Sequence, residues 1–282
     1  MSPPPKIPPK IPMAGTLVLL GAGKMGGAML QGWLSAGIDP AQIVVLDPYP
    51  SAELSHVLGQ HGIRLNPPTA SLVDVSVIVV AVKPQSLDDV LSAMKSVGQG
   101  QPLVISIVAG KTIATFAKYF GPTTAIIRTI PNTPAAIGRG VTAMAANAHV
   151  SADQMQLADV LLASIGEVVT LENETQIDAA TAVSGSGPAY VFYMTECLAA
   201  AGQAAGLAPD IAMKLARATV AGSGELMRQT GTDAEQLRKN VTSPNGTTHA
   251  ALQVLMASDG LKPLMQRAVA AAEARARELG SA

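Results

Sequence analysis

Residues Thr16–Leu20, TLVLL, run straight into Gly21-Ala22-Gly23-Lys24-Met25-Gly26, and no other feature restricts the fold as tightly. The apolar run suits a buried parallel strand. The glycines stand in G-x-G-x-x-G spacing. Gly21 permits the tight turn, Gly23 lets a phosphate approach the backbone, and Gly26 lets the next helix lie close to the strand. A helical pattern follows over about Met25–Leu34. Its free N–H groups point at the loop and carry partial positive charge, which suits a pyrophosphate. Glycine clusters also make ordinary turns. Here the cluster follows a strand, opens a helix and precedes a second strand, Ile43–Asp47, that ends in an acidic residue. This context predicts a dinucleotide-binding domain.

The chain is long enough for two domains, at 282 residues. Apolar residues make up 48% and charged ones 14%, which supports a large core. Aromatics are only 3%, while Ala and Gly abound, so close helix–helix packing is expected. Net charge is −1 with no basic block, which argues against nucleic acid or an anionic membrane as partner. No apolar run approaches the ~20 residues that span a bilayer. Residues 1–14 are dominated by proline, lack the apolar stretch of a signal peptide, and read as an extended tail. Cys197 is the single cysteine, expected as a small core residue; without an internal disulfide the chain fits a reducing cytoplasm.

Further strands are expected at Ile63–Leu65, Val75–Val82, Leu103–Val108 and Thr124–Ile130, with edge strands at Val141–Ala146 and Val168–Leu171. Helices are expected at Ala52–Gln60, Ser86–Val97, Thr112–Tyr119 and Asp153–Ser164. Asp47 stands where a Rossmann fold meets the adenosine ribose. A carboxylate there accepts from a 2′-hydroxyl and repels a 2′-phosphate, which favours NAD; an Asp47-Pro48 turn is the equally weighted alternative. Lys83, at the end of Val75–Val82, faces either the cofactor or solvent. The stiff loop within Arg128–Pro134 either orients a nicotinamide amide or is a structural crossover. This α/β domain is expected to cover 15–172.

Beyond it, over 173–282, strand patterns vanish and an all-α domain is expected. Its helices are Thr175–Val183, Pro188 to about Ala205, Pro209–Thr230, Asp233–Asn240, His249–Ser258 and Leu261–Leu279. That domain should supply a substrate site. Ser243-Pro244-Asn245-Gly246-Thr247-Thr248 offers hydroxyls, a sharp turn and backbone N–H groups just before a helix, a set that suits a carboxylate. The ordinary alternative is an N-cap, with Thr247 or Thr248 as the capping residue. The four histidines form no convincing acid–base pair, and no Ser/His/Asp set or clustered metal site emerges. A reductase without an obvious general acid suits a substrate that arrives protonated, such as an iminium.

Several long motifs then coincide. VSGSGPAYV at Val183–Val191, VTSPNGTTHAAL at Val241–Leu252, AVKPQ at Ala81–Gln85 and RTIPNTPA at Arg128–Ala135 together resemble pyrroline-5-carboxylate reductase over nearly the whole chain after the tail. The resemblance implies reduction of 1-pyrroline-5-carboxylate to L-proline, the last step of proline synthesis, with NADPH or NADH. It implies that Gly21, Ala22, Gly23, Lys24, Met25 and Gly26 hold the cofactor together with Ala81, Val82, Lys83 and Pro84. Ala109 and Asn240 would approach the nicotinamide side. Ser243 and Thr248, with the Gly246 and Thr247 backbone between them, match the substrate-carboxylate site, and Thr248 matches the hydroxyl nearest the ring nitrogen. Homodimers with interlocked helical domains, often assembled as decamers, are implied as well. Two departures stand out. Asn245 replaces the first glycine of the family's Ser-Pro-Gly-Gly, though Asn tolerates positive φ. Pro67–Pro68 occupy a region where the family often carries an Asn that contacts adenosine. The rivals are a reductase of another cyclic imino acid, a hydroxyacid dehydrogenase of similar plan, and a nucleotide sensor without turnover. The dehydrogenase would want a Lys or His acid, and no second-domain Lys sits in such a motif.

Overall fold

A computed structural model describes residues 13–98 and 100–281. They divide into two compact units: 13–185 with 273–281, and Ser186–Ala272. Of the expected Pro-rich tail, 1–12 lie outside the described residues. Met13 is buried, and its carbonyl accepts from Gln42 Nε2 at 2.8 Å.

The first unit is built on one eight-stranded sheet in the order β3-β2-β1-β4-β5-β6-β7-β8. The strands are β1 Thr16–Leu20, β2 Ile43–Leu46, β3 Arg64–Leu65, β4 Val75–Val80, β5 Leu103–Ser106, β6 Ile126–Pro131, β7 Gly140–Ala146 and β8 Gly166–Thr170. The first six are parallel in the doubly wound order of a Rossmann fold. β7 runs antiparallel to β6, and β8 is parallel to β7. β7 was expected at an edge but lies inside the sheet, because β6 and β8 both pair with it; only β8 is an edge. The expected loop at Arg128–Pro134 likewise begins later: Arg128–Pro131 remain in β6, opposite β7.

Side-chain alternation along β1 divides the core. Leu17 and Leu19 pack with the helices α1 Lys24–Ser35 and α2 Ala52–His61. Val18 and Leu20 pack on the other face with α3 Leu87–Ala93 and with Phe116 and Phe120. Burying these four side chains is worth roughly 1.5–3 kcal/mol each. Ordering a residue costs ~1–2 kcal/mol of backbone entropy, so β1 holds as a strand only because both faces are covered. The expected helix at Ser86–Val97 breaks at Met94, giving α3 and the short α4 Lys95–Gly98. Next come α5 Ile113–Phe120 and α6 Ala152–Ala163. Trp33, fully buried in α1, donates its indole N–H to Leu161 O of α6 at 2.9 Å.

Arg128 is buried within β6, and two carboxylates pair with it. Its guanidinium reaches Glu174 at 3.1 Å and Asp178 at 3.2 Å. Glu174 also accepts from Ile113 N–H at 2.8 Å, which ties in the start of α5. Asp178 lies in α7 Ile177–Ala180, which continues as a π-helical turn, Thr181–Gly185. The helix expected at 175–183 is therefore not uniform: it widens at Thr181. Arg128→Met strands two part-buried carboxylates. It is expected to lower the unfolding free energy by about 3 kcal/mol. An unfolding free energy from urea titration within about 0.5 kcal/mol of the parent would show the cluster to be solvated.

The second unit contains α8 Gly187–Ala204, α9 Pro209–Thr230, α10 Ala234–Asn240, α11 Thr247–Leu255 and the first part of α12 Leu261–Ser281. Pro188 falls in the first turn of α8, where its missing N–H costs nothing. Small residues bring α8 and α9 together. Ala199, Ala212 and Ala216 are buried, and a Cβ on Gly202 would lie 3.3 Å from that of Ala212. The outward side of the hairpin is apolar: Phe192, Met194, Leu198, Ile211 and Leu215 are exposed in the single chain. Cys197 lies on α8 and is exposed, not in the core as expected. No described helix is long and apolar enough to cross a membrane.

Candidate functional site

Strand register assembles the first site. Leu20 lies opposite both Leu46 and Val80, so the residues that follow, Gly21, Asp47 and Ala81, emerge side by side at the carboxyl edge. The ladder runs one step further, with Gly21 N–H donating to Leu46 O and Ala81 N–H to Leu20 O, both at 2.8 Å.

The three glycines differ in what surrounds them. Gly21 has φ +82°, a left-handed conformation that disfavours side chains. A Cβ on Gly26 would overlap the carbonyl oxygen of Gly21, so α1 could not lie this close to β1. A Cβ on Gly23 would meet nothing within 4 Å. Gly23 is the N-cap of α1 and has no side chain to accept from the helix N–H groups. It opens onto a cavity of about 440 Å³ whose wall includes Ala22, Lys24, Asp47 and Glu53. Open space beside uncapped helix N–H groups fits a dinucleotide's pyrophosphate. Met25 turns inward against the core.

Asp47 makes the turn and also reaches the glycine loop. Its Oδ1 accepts from Tyr49 N–H at 2.9 Å, which is the turn. Its Oδ2 accepts from Ala22 N–H at 2.8 Å, which docks the carboxylate on the glycine loop. Asn66, not among the expected site residues, holds the Asp47 backbone. The Asn66 amide accepts from Asp47 N–H at 2.9 Å and donates to Asp47 O at 2.7 Å. Its one sequence signal was an Asn before two prolines at the end of a short strand.

Val82 follows Ala81 and is half-buried, whereas Lys83 and Pro84 are exposed. None of the four is on the cavity wall. Ala109 lies in the loop after β5, beside Gly110 at φ +71°. Asn132, in the stiff loop after β6, donates to Ser184 O at 3.1 Å and accepts from Val141 N–H at 2.9 Å. Its amide thus ties the crossover together.

In the second unit, Asn240 is the last residue of α10, and its Oδ1 accepts from Gln236 at 2.7 Å. The following loop brings Ser243 to Gly246: Gly246 N–H donates to Ser243 O at 3.1 Å, closing a turn with Asn245 at φ +59°. Asn thus takes the left-handed position the departure from glycine had put in question. A side chain on Gly246 would overlap Ser243 Oγ. α11 begins at Thr247, two residues earlier than expected, with Gly246 as N-cap and no side-chain cap. Thr247 and Thr248 therefore belong to the first turn and are not caps. Their N–H groups precede the first intrahelical bond, Ala250 N–H to Gly246 O. His249 faces along the helix to Gln253 at 3.1 Å.

Two protein-family models match the chain. "Pyrroline-5-carboxylate reductase dimerisation" covers 174–279, and "NADP oxidoreductase coenzyme F420-dependent" covers 16–110. A pyrroline-5-carboxylate reductase of Synechocystis is 42% identical over 270 residues, spanning 95% of this chain and 99% of that one. Among solved structures, the pyrroline-5-carboxylate reductase from Coxiella burnetii superposes with a TM-score of 0.88 at 33% identity, over 95% of this chain and 99% of that one. The Plasmodium falciparum pyrroline carboxylate reductase with NADP bound gives 0.76 at 28% identity, over 94% and 98%.

Proposed function

The chain belongs to the pyrroline-5-carboxylate reductase family, and from that premise we propose how its own residues divide the work of reducing 1-pyrroline-5-carboxylate to L-proline. NAD(P)H, when bound, supplies the hydride. Gly21–Gly26 hold its pyrophosphate, Asp47 meets the adenosine ribose, and Ala81–Pro84 border it. Ala109 and Asn240 are assigned to the nicotinamide side. Ser243, Gly246, Thr247 and Thr248 hold the substrate.

The observation that carries the substrate assignment is the uncapped first turn of α11. Its donors are backbone N–H groups, joined by the Ser243 and Thr248 hydroxyls. Ser243–Thr248 contains no Arg or Lys. A helix start bears roughly half a positive charge. It can orient a ring carboxylate without setting a full cation beside a protonated imine. Protonation of the ring nitrogen makes its carbon the acceptor, so these residues need to position the ring and exclude water, not donate a proton to oxygen.

The test is cofactor oxidation against a panel: 1-pyrroline-5-carboxylate, its six-membered homologue and an open-chain 2-keto acid. Turnover is expected to be fastest with the five-membered imine. Preference for either alternative would reassign the substrate, and binding without turnover would make the chain a sensor.

The apolar outward face of α8 and α9 supports pairing with a second copy through the helical unit. The decamer implied by the family and residence in the cytoplasm belong to the same reading. Light scattering at micromolar concentration is expected to give at least twice the 28.7 kDa chain mass; a monomer would refute it.

A further inference from the structure

We propose that Asn66 is a positioning residue for cofactor choice: it fixes Asp47 so that the carboxylate receives a ribose 2′-hydroxyl and rejects a 2′-phosphate, giving a preference for NADH over NADPH. This rests on the reading that Asp47 meets the adenosine ribose.

β3 is only two residues long, Arg64–Leu65, so its backbone pairs with β2 at Val44 and Val45 alone. Asn66 then turns into the left-handed region at φ +49° while its N–H still donates to Val45 O at 2.9 Å. Its side-chain amide takes over where the strand stops. Oδ1 accepts from Asp47 N–H and Nδ2 donates to Asp47 O, as a facing strand residue would. The two backbone groups of Asp47 are thereby held.

Its two carboxylate oxygens are each held once, by Ala22 N–H and Tyr49 N–H. A carboxylate oxygen has two acceptor positions, so each keeps one for a ligand hydroxyl. Fixed at four atoms, Asp47 cannot swing aside to admit a 2′-phosphate. Glu53 adds a second carboxylate to the same wall, where Lys24 is the one basic side chain. Two carboxylates against one ammonium disfavour a further doubly charged group.

Asn66→Gly tests this, because glycine keeps the left-handed backbone and removes only the amide. Dissociation constants for NADH and NADPH are measured by calorimetry on the cofactor-free protein, alongside its melting temperature. NADH binding is expected to weaken about 10-fold and NADPH to change less than about twofold, the scale of one to two hydrogen bonds to a charged group. Asp47→Ser should move the ratio the same way, and adding Asn66→Gly to it should move it no further. If Asp47→Ser shifts the ratio and Asn66→Gly does not, the Asn66 role is overturned alone. If neither shifts it, Asp47 does not meet the ribose and both readings fall. Should Asn66→Gly fail to fold, Asn66→Ser removes the two-pronged amide without adding charge and carries the same expectation.

Discussion

Gly23→Val is expected to abolish measurable NAD(P)H binding, a loss of at least about 100-fold, or ~2.7 kcal/mol, while the protein stays folded. The two halves of that expectation come from the same geometry. Gly23 has φ −64° and ψ −161°, an extended conformation open to any residue. A Cβ there meets nothing within 4 Å, so a side chain points into open space and not into the packed fold. What it fills is the open space where a phosphate must approach the first N–H groups of α1. Gly26→Ala is the contrasting control: its methyl would overlap the Gly21 carbonyl and must push α1 off β1. That variant should lose stability first. Calorimetric titration of Gly23→Val, with a melting curve as check on folding, decides the matter. Unchanged affinity would move the pyrophosphate away from this loop.

Features that depend on local pattern were legible in the sequence. TLVLL followed by G-x-G-x-x-G announces a strand, a turn and a close-packed helix, because each glycine answers a local steric demand. Pro209–Thr230 was readable to the residue, since proline starts it and Gly231 at φ +61° ends it. Features that depend on register were not. Asn66 acts as a surrogate strand residue only because β3 stops after Leu65 beside Asp47, and nothing in its neighbours' identities says so. Arg128 reads only as the first residue of a stiff loop until folding brings Glu174 and Asp178 to it from 46 and 50 positions away. The start of α11 was misread for a local reason. Threonine is a better cap than glycine by propensity, but the turn at Asn245 delivers the chain with Gly246 at the boundary. The misreading bears on function, because it changes Thr248 from a cap that spends its hydroxyl on the backbone into a first-turn residue.

Thr248→Ala is accordingly expected to lower kcat/KM for 1-pyrroline-5-carboxylate by on the order of 10–100-fold, the scale of one or two hydrogen bonds to charged groups at ~1.5–3 kcal/mol each. Thr248 is half-buried in the first turn of α11, so its backbone N–H and its hydroxyl both belong to the helix start. Alanine keeps the N–H and the helix and removes the hydroxyl alone. A threonine hydroxyl is too weak an acid to be the sole proton source. In the proposed site it orients the ring, or relays a proton by way of water, at the nitrogen. Loss of orientation acts in the transition state as well as in the ground state, so kcat should fall along with any rise in KM. Cofactor affinity should stay within about twofold, below the ~1 kcal/mol worth of a typical hydrogen bond. Ser243→Ala, which removes a carboxylate partner remote from the nitrogen, should raise KM with less effect on kcat. Wild-type kcat/KM in Thr248→Ala would take Thr248 out of the site. Weakened NAD(P)H binding with unchanged substrate handling would instead assign the α11 start to the cofactor.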